Sequence, residues 1–419
     1  MTDVTATEAT GLTLRERSWL PLEHIRTIGP LTGITAARMR DALTGLHRAD
    51  PEHRAVSRLD RPGAAWQHLD TAEFAVFVRD VVTDLGPATL DFATMTRRLQ
   101  DEPPGEHPVR ILVGGGYVAL KVSPAYGDTE PVNALLRELV RAALAGRAAA
   151  LTPLTARRWA LPRAWLKQVG LRPSRWRDGL AVPRPPQRLP APTRPWKASL
   201  VTCSARSPRV LGEMRLWRDR HAPGATAPAI AFAAFAAALV ELGLNPDLSG
   251  GVFLADARWH LGQAAGVDGN FSTGSYLSPA SLTHPAPIDR TLTAELAGGR
   301  ILTAMLLRSG RMMVTRAPRI PQPYPEEIAI EPRPRLVFDD QGRHDLLGDL
   351  PWAVGPAGRI NQSAPAHCEP EGIALAISEM DGVVHLDATF HSSTYDLVVL
   401  QRALDLVCSD PAGLIGARL

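Results

Sequence analysis

The chain has 419 residues, of which 45% are hydrophobic and 21% are charged, and this length is enough for about two or three domains with a well-buried core. The 46 basic and 43 acidic residues nearly cancel, which argues against a strongly cationic nucleic-acid-binding protein. Only three of the basic residues are lysines, and a bias of this kind toward arginine is typical of a GC-rich genome.

Cysteine spacing and apolar runs bear on the cellular compartment. Cys203, Cys368 and Cys408 lie far apart, so they predict neither a disulfide framework nor a zinc site. The N-terminal residues are polar and do not resemble a secretory signal. The longest apolar run, at 229–240, is too short to span a membrane. We therefore expect a cytoplasmic protein that holds no metal and has neither a membrane nor a nucleic acid as partner.

Predicted elements alternate between helix and strand from the start of the chain. Apolar residues at helical spacing predict one helix after Thr35, a second over residues 72–85 and a third from about Pro131. Residues 109–122 contain two β-rich runs around a Gly-Gly-Gly triplet. We interpret them as a hairpin rather than a phosphate-binding loop, because a strand and not a helix follows the glycines.

A proline-rich stretch divides the chain near its middle. Residues 181–195 are typical of a semi-rigid linker, because proline supports neither a regular helix nor a central strand. A weaker stretch of the same kind covers 316–335. The second half has its own predicted elements, which are strands at 198–204, 251–255, 373–378 and 383–390 and helices at 228–242, 288–308 and 393–408. We therefore predict a first half (1–180), a linker (181–197) and a second half (198–419).

Several segments carry a resemblance to a known superfamily. They are the stretches 29–35 and 50–54, S-P-A-Y-G-D-T at 123–129, F-L-A-D-A-R at 253–258, G-N-F-S at 269–272, and the closing segment 370–396. Together they resemble the condensation-domain-like acyltransferases that use CoA or carrier proteins, which include nonribosomal-peptide condensation domains and chloramphenicol acetyltransferase. The resemblance implies an α/β (α+β two-layer) fold, in which two chloramphenicol-acetyltransferase-like halves form a V-shaped pseudo-dimer around a central tunnel.

The catalytic motif of that family, H-H-x-x-x-D-G, falls on residues 123–129, and only Asp128 matches it. In the family the second histidine positions or deprotonates the nucleophile, and Pro124 stands in its place. Proline has no titratable group, so it cannot act as a general base. Losing such a base commonly costs about 10²–10⁴-fold in rate. A free amine can tolerate the loss, because orientation alone contributes ~7–11 kcal/mol, whereas we do not expect a hydroxyl to do so.

Asp128 has a structural role in the family, which pairs it with the arginine matched here by Arg258. Such a pair between carboxylate and guanidinium can be bidentate and geometrically demanding. Both partners are present although the histidines are not. The resemblance therefore implies that the architecture is kept, while the usual chemistry is lost or replaced.

Other residues are candidates for the site on the strength of the same resemblance. His391, at the end of a predicted strand, is a candidate for a relocated base, and the alternative is a surface or capping residue. Ser123 and Tyr126 either hydrogen-bond a substrate carbonyl or fill the space of two imidazoles. Pro124, Asn270 and Ser272 are expected to line the tunnel, and the last two also shape the strand that bridges the halves.

A basic segment interleaved with tryptophans runs from residue 157 to 177. Its cations include Arg157, Arg158, Arg163 and Lys167. We predict that they dock an acidic acyl- or peptidyl-carrier protein. The open alternatives are a solvated helix whose tryptophans pack inward, an anionic lipid surface and a nucleic acid backbone.

Three functions remain open at this stage. The first is a stand-alone condensation-type acyltransferase of specialised (nonribosomal peptide or polyketide) metabolism, which moves an acyl or aminoacyl group from a carrier-protein or CoA thioester to the amine or hydroxyl of a small-molecule acceptor. It would use the phosphopantetheine or CoA thioester as co-substrate and bind no other cofactor. The second is an inactive platform that binds a carrier protein or recruits a tailoring enzyme. The third is different chemistry in the same tunnel, such as cyclisation or chain release.

Overall fold

The computed structural model describes residues 9–87, 91–151, 159–170, 172, 175–176, 185–186, 191–261, 269–315 and 324–416. Its strands, numbered in chain order, are β1 (Ala9–Gly11), β2 (His24–Gly29), β3 (Arg58–Asp60), β4 (Ala65–Gln67), β5 (Val82–Asp84), β6 (Val109–Gly114), β7 (Tyr117–Val122), β8 (Thr193–Pro195), β9 (Leu200–Ser207), β10 (Gly251–Asp256), β11 (Ser272–Leu277), β12 (Glu327–Ala329), β13 (Arg335–Arg343), β14 (Ile360–Pro365), β15 (Gly372–Met380) and β16 (Val383–His391).

The helices of the same residues surround these strands. They are α1 (Leu14–Arg17), α2 (Ala36–Ala49), α3 (Thr71–Val81), α4 (Phe92–Asp101), α5 (Thr129–Ala145), α6 (Ala160–Gln168), α7 (Val210–His221), α8 (Ala227–Glu241), α9 (Pro285–Gly298), α10 (Arg300–Thr315), α11 (Leu397–Ser409) and α12 (Pro411–Gly416). None of the helices described here combines the length and the apolar character that a membrane span requires.

The first half is built on a five-stranded sheet of order β14-β2-β7-β6-β5. Helices α2 and α5 cover one face, because their apolar stripes, such as Met39, Leu43 and Leu46 on α2, point at the sheet. β6 and β7 form an antiparallel hairpin. Gly115 and Gly116 take φ of 58° and 83° in its turn, which is the backbone that a two-residue hairpin of this hand requires. The predicted hairpin is confirmed.

The second half is built on a six-stranded sheet of order β11-β10-β13-β15-β16-β9. Helix α8, which consists almost entirely of Ala, Phe and other apolar residues, is buried against it together with α11. This packing explains the long apolar run in the sequence, since a helix that is hydrophobic on every side is stable only when it is enclosed.

One segment of the second half crosses into the first. β14 pairs antiparallel with β2 along its whole length, and Leu347 and Leu350 pack in the first core. The end of the predicted linker, Thr193–Pro195, pairs with β12 as a two-stranded ribbon. The two sheets are therefore tied together by the chain itself, and the boundaries at 180 and 198 stay a prediction.

Three predicted helices differ in their limits. The helix expected over 72–85 ends at Val81, and residues 82–84 form strand β5. The helix expected over 288–308 is two helices, α9 and α10, which are separated at Gly299, where φ is +70°. The closing helix begins at Leu397 rather than at 393, because Asp396 caps it by accepting the N–H of Val398 (2.7 Å). Strands β2, β13 and β14 were not predicted, and all three contribute to the site.

Candidate functional site

A cleft of about 450 Å³ lies between the two sheets, beside the first turn of α5. Asp128 and Asn133 line its wall on the first half, and residues of β10, β11 and β13 form the opposite wall. Pro124, Asn270 and Ser272, which the sequence places in the tunnel, all line this cleft. The structure therefore brings the predicted tunnel residues together at one place.

The degenerate motif segment forms a tight turn that leads from β7 into α5. Ser123 donates its backbone N–H to the carbonyl of Pro108 (2.9 Å) and accepts the N–H of Tyr126 (2.8 Å). Pro124 and Asp128 line the cleft. Ser123 is fully buried outside that lining, and Tyr126 packs in the first core, where burial raises the pKa of its phenol. This placement favours the second of the two predicted roles, in which Ser123 and Tyr126 fill space rather than hydrogen-bond a substrate.

Arg258 reaches Asp128 from the second half. Its Nη1 contacts Asp128 Oδ2, and the same oxygen accepts the N–H of Phe271 (3.0 Å) and the hydroxyl of Ser272 (3.2 Å). Burial alone would lower the pKa of Arg258, but the charges of Asp128 and Asp256 raise it above its usual value. Asp128 therefore joins the start of α5 to three donors of the second half.

Local structure directs both side chains of this pair. Asp128 precedes α5, yet its side chain makes no capping hydrogen bond, because it is engaged by Arg258. Arg258 lies in a 3-10 turn, Ala257–His260, directly after β10, and the carboxylate of Asp256 starts this turn by accepting the N–H of Arg258 (2.8 Å). The guanidinium also donates to the carbonyl of Gly269.

A buried polar layer lies under the cleft. Arg26, on β2, is fully buried and donates to Gln341 Oε1 (2.8 Å) and to Asn361 Oδ1 (3.3 Å). Burial lowers the pKa of Arg26 to about 10, although the charges of Asp387 and Asp339 oppose this shift. One guanidinium therefore stands near two carboxyl groups in a region with little solvent.

Both of those carboxyl groups hold a proton more readily than usual. Burial raises the pKa of Asp387 to about 7 and that of Asp339 to about 6. Asp387 accepts hydrogen bonds from Ser204 Oγ (2.6 Å) and from the N–H of Ser363 (2.8 Å). Asp339 Oδ2 accepts one from Gln341 Nε2 (2.7 Å) and lines the cleft.

Two imidazoles also line the cleft, and both are poor bases. Burial, and then the charge of Arg26, lower the pKa of His24 to about 3. The same two causes hold the pKa of His344 well below its usual value. His24 Nε2 lies 3.0 Å from Ser363 Oγ, and His344 Nδ1 lies 2.6 Å from the amide nitrogen of Asn361. At neutral pH these rings are uncharged hydrogen-bonding groups.

No protein-family model and no curated protein matches the sequence. Solved structures do match nearly the whole chain. The trichothecene 15-O-acetyltransferase TRI3 of Fusarium sporotrichioides has a TM-score of 0.61 at 10% identity, over 98% of this chain and 95% of that one. The cyclization-docking bidomain of the nonribosomal peptide synthetase EpoB of Sorangium cellulosum has a TM-score of 0.60 at 13% identity, over 97% and 85% of the two chains.

The nonribosomal peptide synthetase FmoA3 matches with a TM-score of 0.55 at 18% identity. The alignment covers 98% of this chain but only 43% of the length of FmoA3. Other matching structures include an epimerization domain of tyrocidine synthetase. The chain has the condensation-domain fold. The predicted α/β architecture of two chloramphenicol-acetyltransferase-like halves is thereby confirmed.

Within the condensation-domain fold, His391 does not stand in the cleft. Its ring is buried, Nδ1 accepts the N–H of Ser199 (3.1 Å), and Nε2 lies 3.0 Å from the carbonyl of Cys368. The rings of Trp196 and Tyr324 pack edge-on against it at 4.9 and 5.0 Å. Since both nitrogens are engaged by backbone groups, the structure favours a structural role for His391 over that of a relocated base.

A second cavity lies next to the polar layer under the cleft. This cavity has a volume of about 260 Å³ and is lined by Asn361, His385 and Asp387. Arg26 contacts Asn361 in that lining and Gln341 in the lining of the cleft. One layer of polar side chains therefore separates the two cavities in this structure.

The basic segment is only partly described, since Arg157 and Arg158 lie outside the described residues. On α6, Arg163 and Lys167 are exposed. Trp165 of the same helix packs inward and donates from Nε1 to Thr303 Oγ1 (3.0 Å). The two cations therefore lie on a solvent face, as both the docking hypothesis and the solvated helix require.

Sequence reasoning missed the polar residues that β2 and β13 bring to the cleft. Asp339, Asp340 and Gln341 follow the buried residues Leu336 and Phe338 on β13. Carboxylates directly after a buried strand are a signal that could have identified them. His24 and Arg26 left no comparable signal, because polar residues on a short segment do not predict a central strand. Among the described residues, no group of His, Cys, Asp and Glu is arranged to hold a metal ion.

Proposed function

We propose that this protein is a condensation-type acyltransferase of specialised metabolism that works in the cleft between its halves. It transfers an acyl or aminoacyl group from a carrier-protein or CoA thioester to an amine or hydroxyl acceptor. A phosphopantetheine or CoA thioester is its co-substrate. The proposal is carried by one observation, which is a cleft at the motif segment that contains both the Asp128–Arg258 pair and the carboxyl group of Asp339.

The cleft supports this reaction by positioning rather than by a motif histidine. The Asp128–Arg258 contact holds the start of α5 against the second half, so a substrate between the halves meets fixed walls. Holding two reactants in a fixed geometry can supply ~7–11 kcal/mol toward a bimolecular reaction. Pro124 leaves the motif position without a titratable group, and the proton must therefore go elsewhere.

The first prediction concerns turnover. Octanoyl thioesters of CoA and of a phosphopantetheinylated carrier protein are incubated with hexylamine, hexan-1-ol and the protein, and intact-mass spectrometry follows the acyl group. We expect loss of the acyl group from the carrier or CoA, together with an acylated acceptor, only when the protein is present. The control is the same mixture without protein.

The same experiment tests the second candidate, an inactive carrier-binding platform. Pro124 favours this candidate, because it removes the imidazole on which the family depends. Tight binding of the loaded carrier without any acyl transfer would support the platform and overturn the transferase. Release of a cyclic or hydrolysed acyl group would instead indicate the third candidate, different chemistry in the same cleft.

The second prediction concerns carrier docking on α6. Carrier proteins are acidic, and exposed cations at a docking surface act mainly through long-range attraction. We expect the double variant Arg163→Glu, Lys167→Glu to weaken carrier binding about tenfold or more, with a smaller difference at high salt. Isothermal titration calorimetry with the loaded carrier measures this. The matched control is the double variant Arg215→Glu, Arg220→Glu, which reverses two exposed cations of α7. Equal loss of carrier binding in the α6 and α7 double variants would contradict docking at α6.

A further inference from the structure

The walls of the cleft carry an excess of negative charge. Six carboxylates and two guanidinium groups line it, namely Asp128, Glu130, Asp256, Asp339, Asp340 and Asp345 with Arg258 and Arg343. Arg258 is engaged by Asp128 and Asp256, and Arg343 lies nearest to Asp345 and Glu379. Within the described residues, no ion pair involves Glu130, Asp339 or Asp340. Arg26, in the polar layer under the cleft, offsets part of the charge of Asp339. The carboxylates still outnumber the guanidinium groups, and this excess of negative charge favours a cationic ligand.

Buried acceptors without donors point to the same kind of ligand. Asn133, on α5, lines the cleft and is only 3% exposed, and its Oδ1 has no hydrogen-bond partner among the described residues. Asp128 Oδ1 is likewise buried without a partner there. Burying an acceptor without a donor is unfavourable. The cleft is thus built to receive a group that donates several hydrogen bonds, as an ammonium group does.

Asp339 is a carboxyl group of the cleft wall that can take a proton from such a ligand. β13 is bulged against β15 between Asp340 and Arg343, so Asp339, Asp340 and Gln341 all reach the cleft. Of the two carboxylate oxygens of Asp339, only Oδ2 accepts a hydrogen bond from Gln341 Nε2 (2.7 Å). Burial raises the pKa of Asp339 to about 6, so at neutral pH the group is largely ionised yet accepts a proton more readily than an exposed aspartate.

We propose that the cleft takes an aliphatic primary amine as its nucleophile, and that the carboxylate of Asp339 accepts a proton from this amine. The inference rests on the proposed function, because the amine needs a thioester to attack. Asp339, on strand β13 of the second half, would then accept the proton that a motif histidine accepts in the family. His24 and His344 do not compete for this task, since burial keeps both rings from taking up a proton near neutral pH.

Acyl transfer from the thioester to the amine needs no further reactant. The ammonium group gives one proton to Asp339, and the free amine attacks the carbonyl carbon of the thioester. As the C–N bond forms and the C–S bond breaks, the departing thiolate takes a second proton from the same nitrogen. The products are an amide and a thiol, and Asp339 returns its proton to water in the cleft.

Binding of a probe amine tests the ligand class independently of turnover. Hexylamine, hexan-1-ol and hexanoate are titrated into the full chain at pH 7.5 and followed by calorimetry. We expect hexylamine to bind, with an affinity at least tenfold lower in Asp339→Asn, and we expect the alcohol and the acid to bind at least tenfold more weakly than the amine. Equal binding of amine and alcohol, or unchanged amine affinity in Asp339→Asn, would overturn the inference.

Turnover tests the proton transfer. With octanoyl-carrier or octanoyl-CoA and hexylamine, we expect Asp339→Asn to lose at least 100-fold in kcat, while its far-UV circular dichroism and its carrier binding match the wild type. Asp219→Asn, which removes an exposed carboxylate of α7, is the control for lost charge. Wild-type turnover in Asp339→Asn contradicts the inference and leaves the proposed function intact. Amine binding that depends on Asp339, without turnover in any mixture, contradicts the proposed function and supports the amine site.

Discussion

We expect replacement of Asp128 by Asn to lower the free energy of unfolding by about 3 kcal/mol, because it leaves the largely buried guanidinium of Arg258 with only the longer contact to Asp256. The side chains of Asp128 and Arg258 are only 9% and 18% exposed. The lost carboxylate also accepted hydrogen bonds from Phe271 and Ser272. Chemical denaturation of both proteins at pH 7.5 measures the difference.

Asp256→Asn is the matched control for this prediction. Asp256 contacts the same guanidinium at 3.3 Å, but its side chain is 52% exposed, and exposed ion pairs contribute about 0–1 kcal/mol. We expect its free energy of unfolding to fall by less than about 1 kcal/mol. Equal losses in the two variants would show that the contact between the halves does not depend on Asp128.

Replacing Asp387 by Asn changes how stability depends on pH. Burial raises the pKa of Asp387 to about 7 in the folded protein, whereas an unfolded aspartate has a pKa of about 3.9. Between these values the folded wild type holds a proton that the unfolded chain has lost, so the contribution of Asp387 to stability falls as pH rises from about 4 to 7. The amide of the Asp387→Asn variant has no such proton. The free energy of unfolding of the variant, minus that of the wild type, therefore rises over this range by an amount on the order of 4 kcal/mol.

Urea denaturation at pH 4.5, 6 and 8 measures this difference. The control is Asp219→Asn, which removes a carboxylate whose side chain is 63% exposed. We expect the difference in free energy of unfolding between this variant and the wild type not to change with pH. The other buried titratable groups, such as His24 and His385, are present in both proteins and cancel in the subtraction. A pH-independent difference for Asp387→Asn would mean that this carboxyl stays ionised beside Arg26.

Several parts of the site follow from local sequence patterns. The hairpin at 109–122 and the helix after Pro131 are set by β-rich runs, glycines and helical spacing, so the turn between them could be located from the sequence. The retained Asp128 and Arg258 indicated a contact between the halves, and the structure places these side chains in contact. Pro124 showed that the motif position holds no base.

The polar layer under the cleft could not be located in the same way. Arg26, Asp339 and Asp387 lie on strands that are more than three hundred residues apart at the extremes. Each segment alone looks partly polar and therefore exposed, because hydrophobic periodicity records only the apolar face of an element. Arg26 and Asp387 become buried when β14 crosses from the second half and pairs with β2. The sequence also could not show the surroundings of His391, because the backbone groups that contact both of its nitrogens come from distant segments.

The resemblance to a known superfamily indicated the class of the fold, and residue types at short spacing located the motif segment and showed that it holds no histidine. Folding does not alter these features. Which groups in the cleft can take a proton became clear only from the folded arrangement. A pKa depends on burial and on neighbouring charge, and for Asp339 and His24 both are set by strands that meet only in the folded protein.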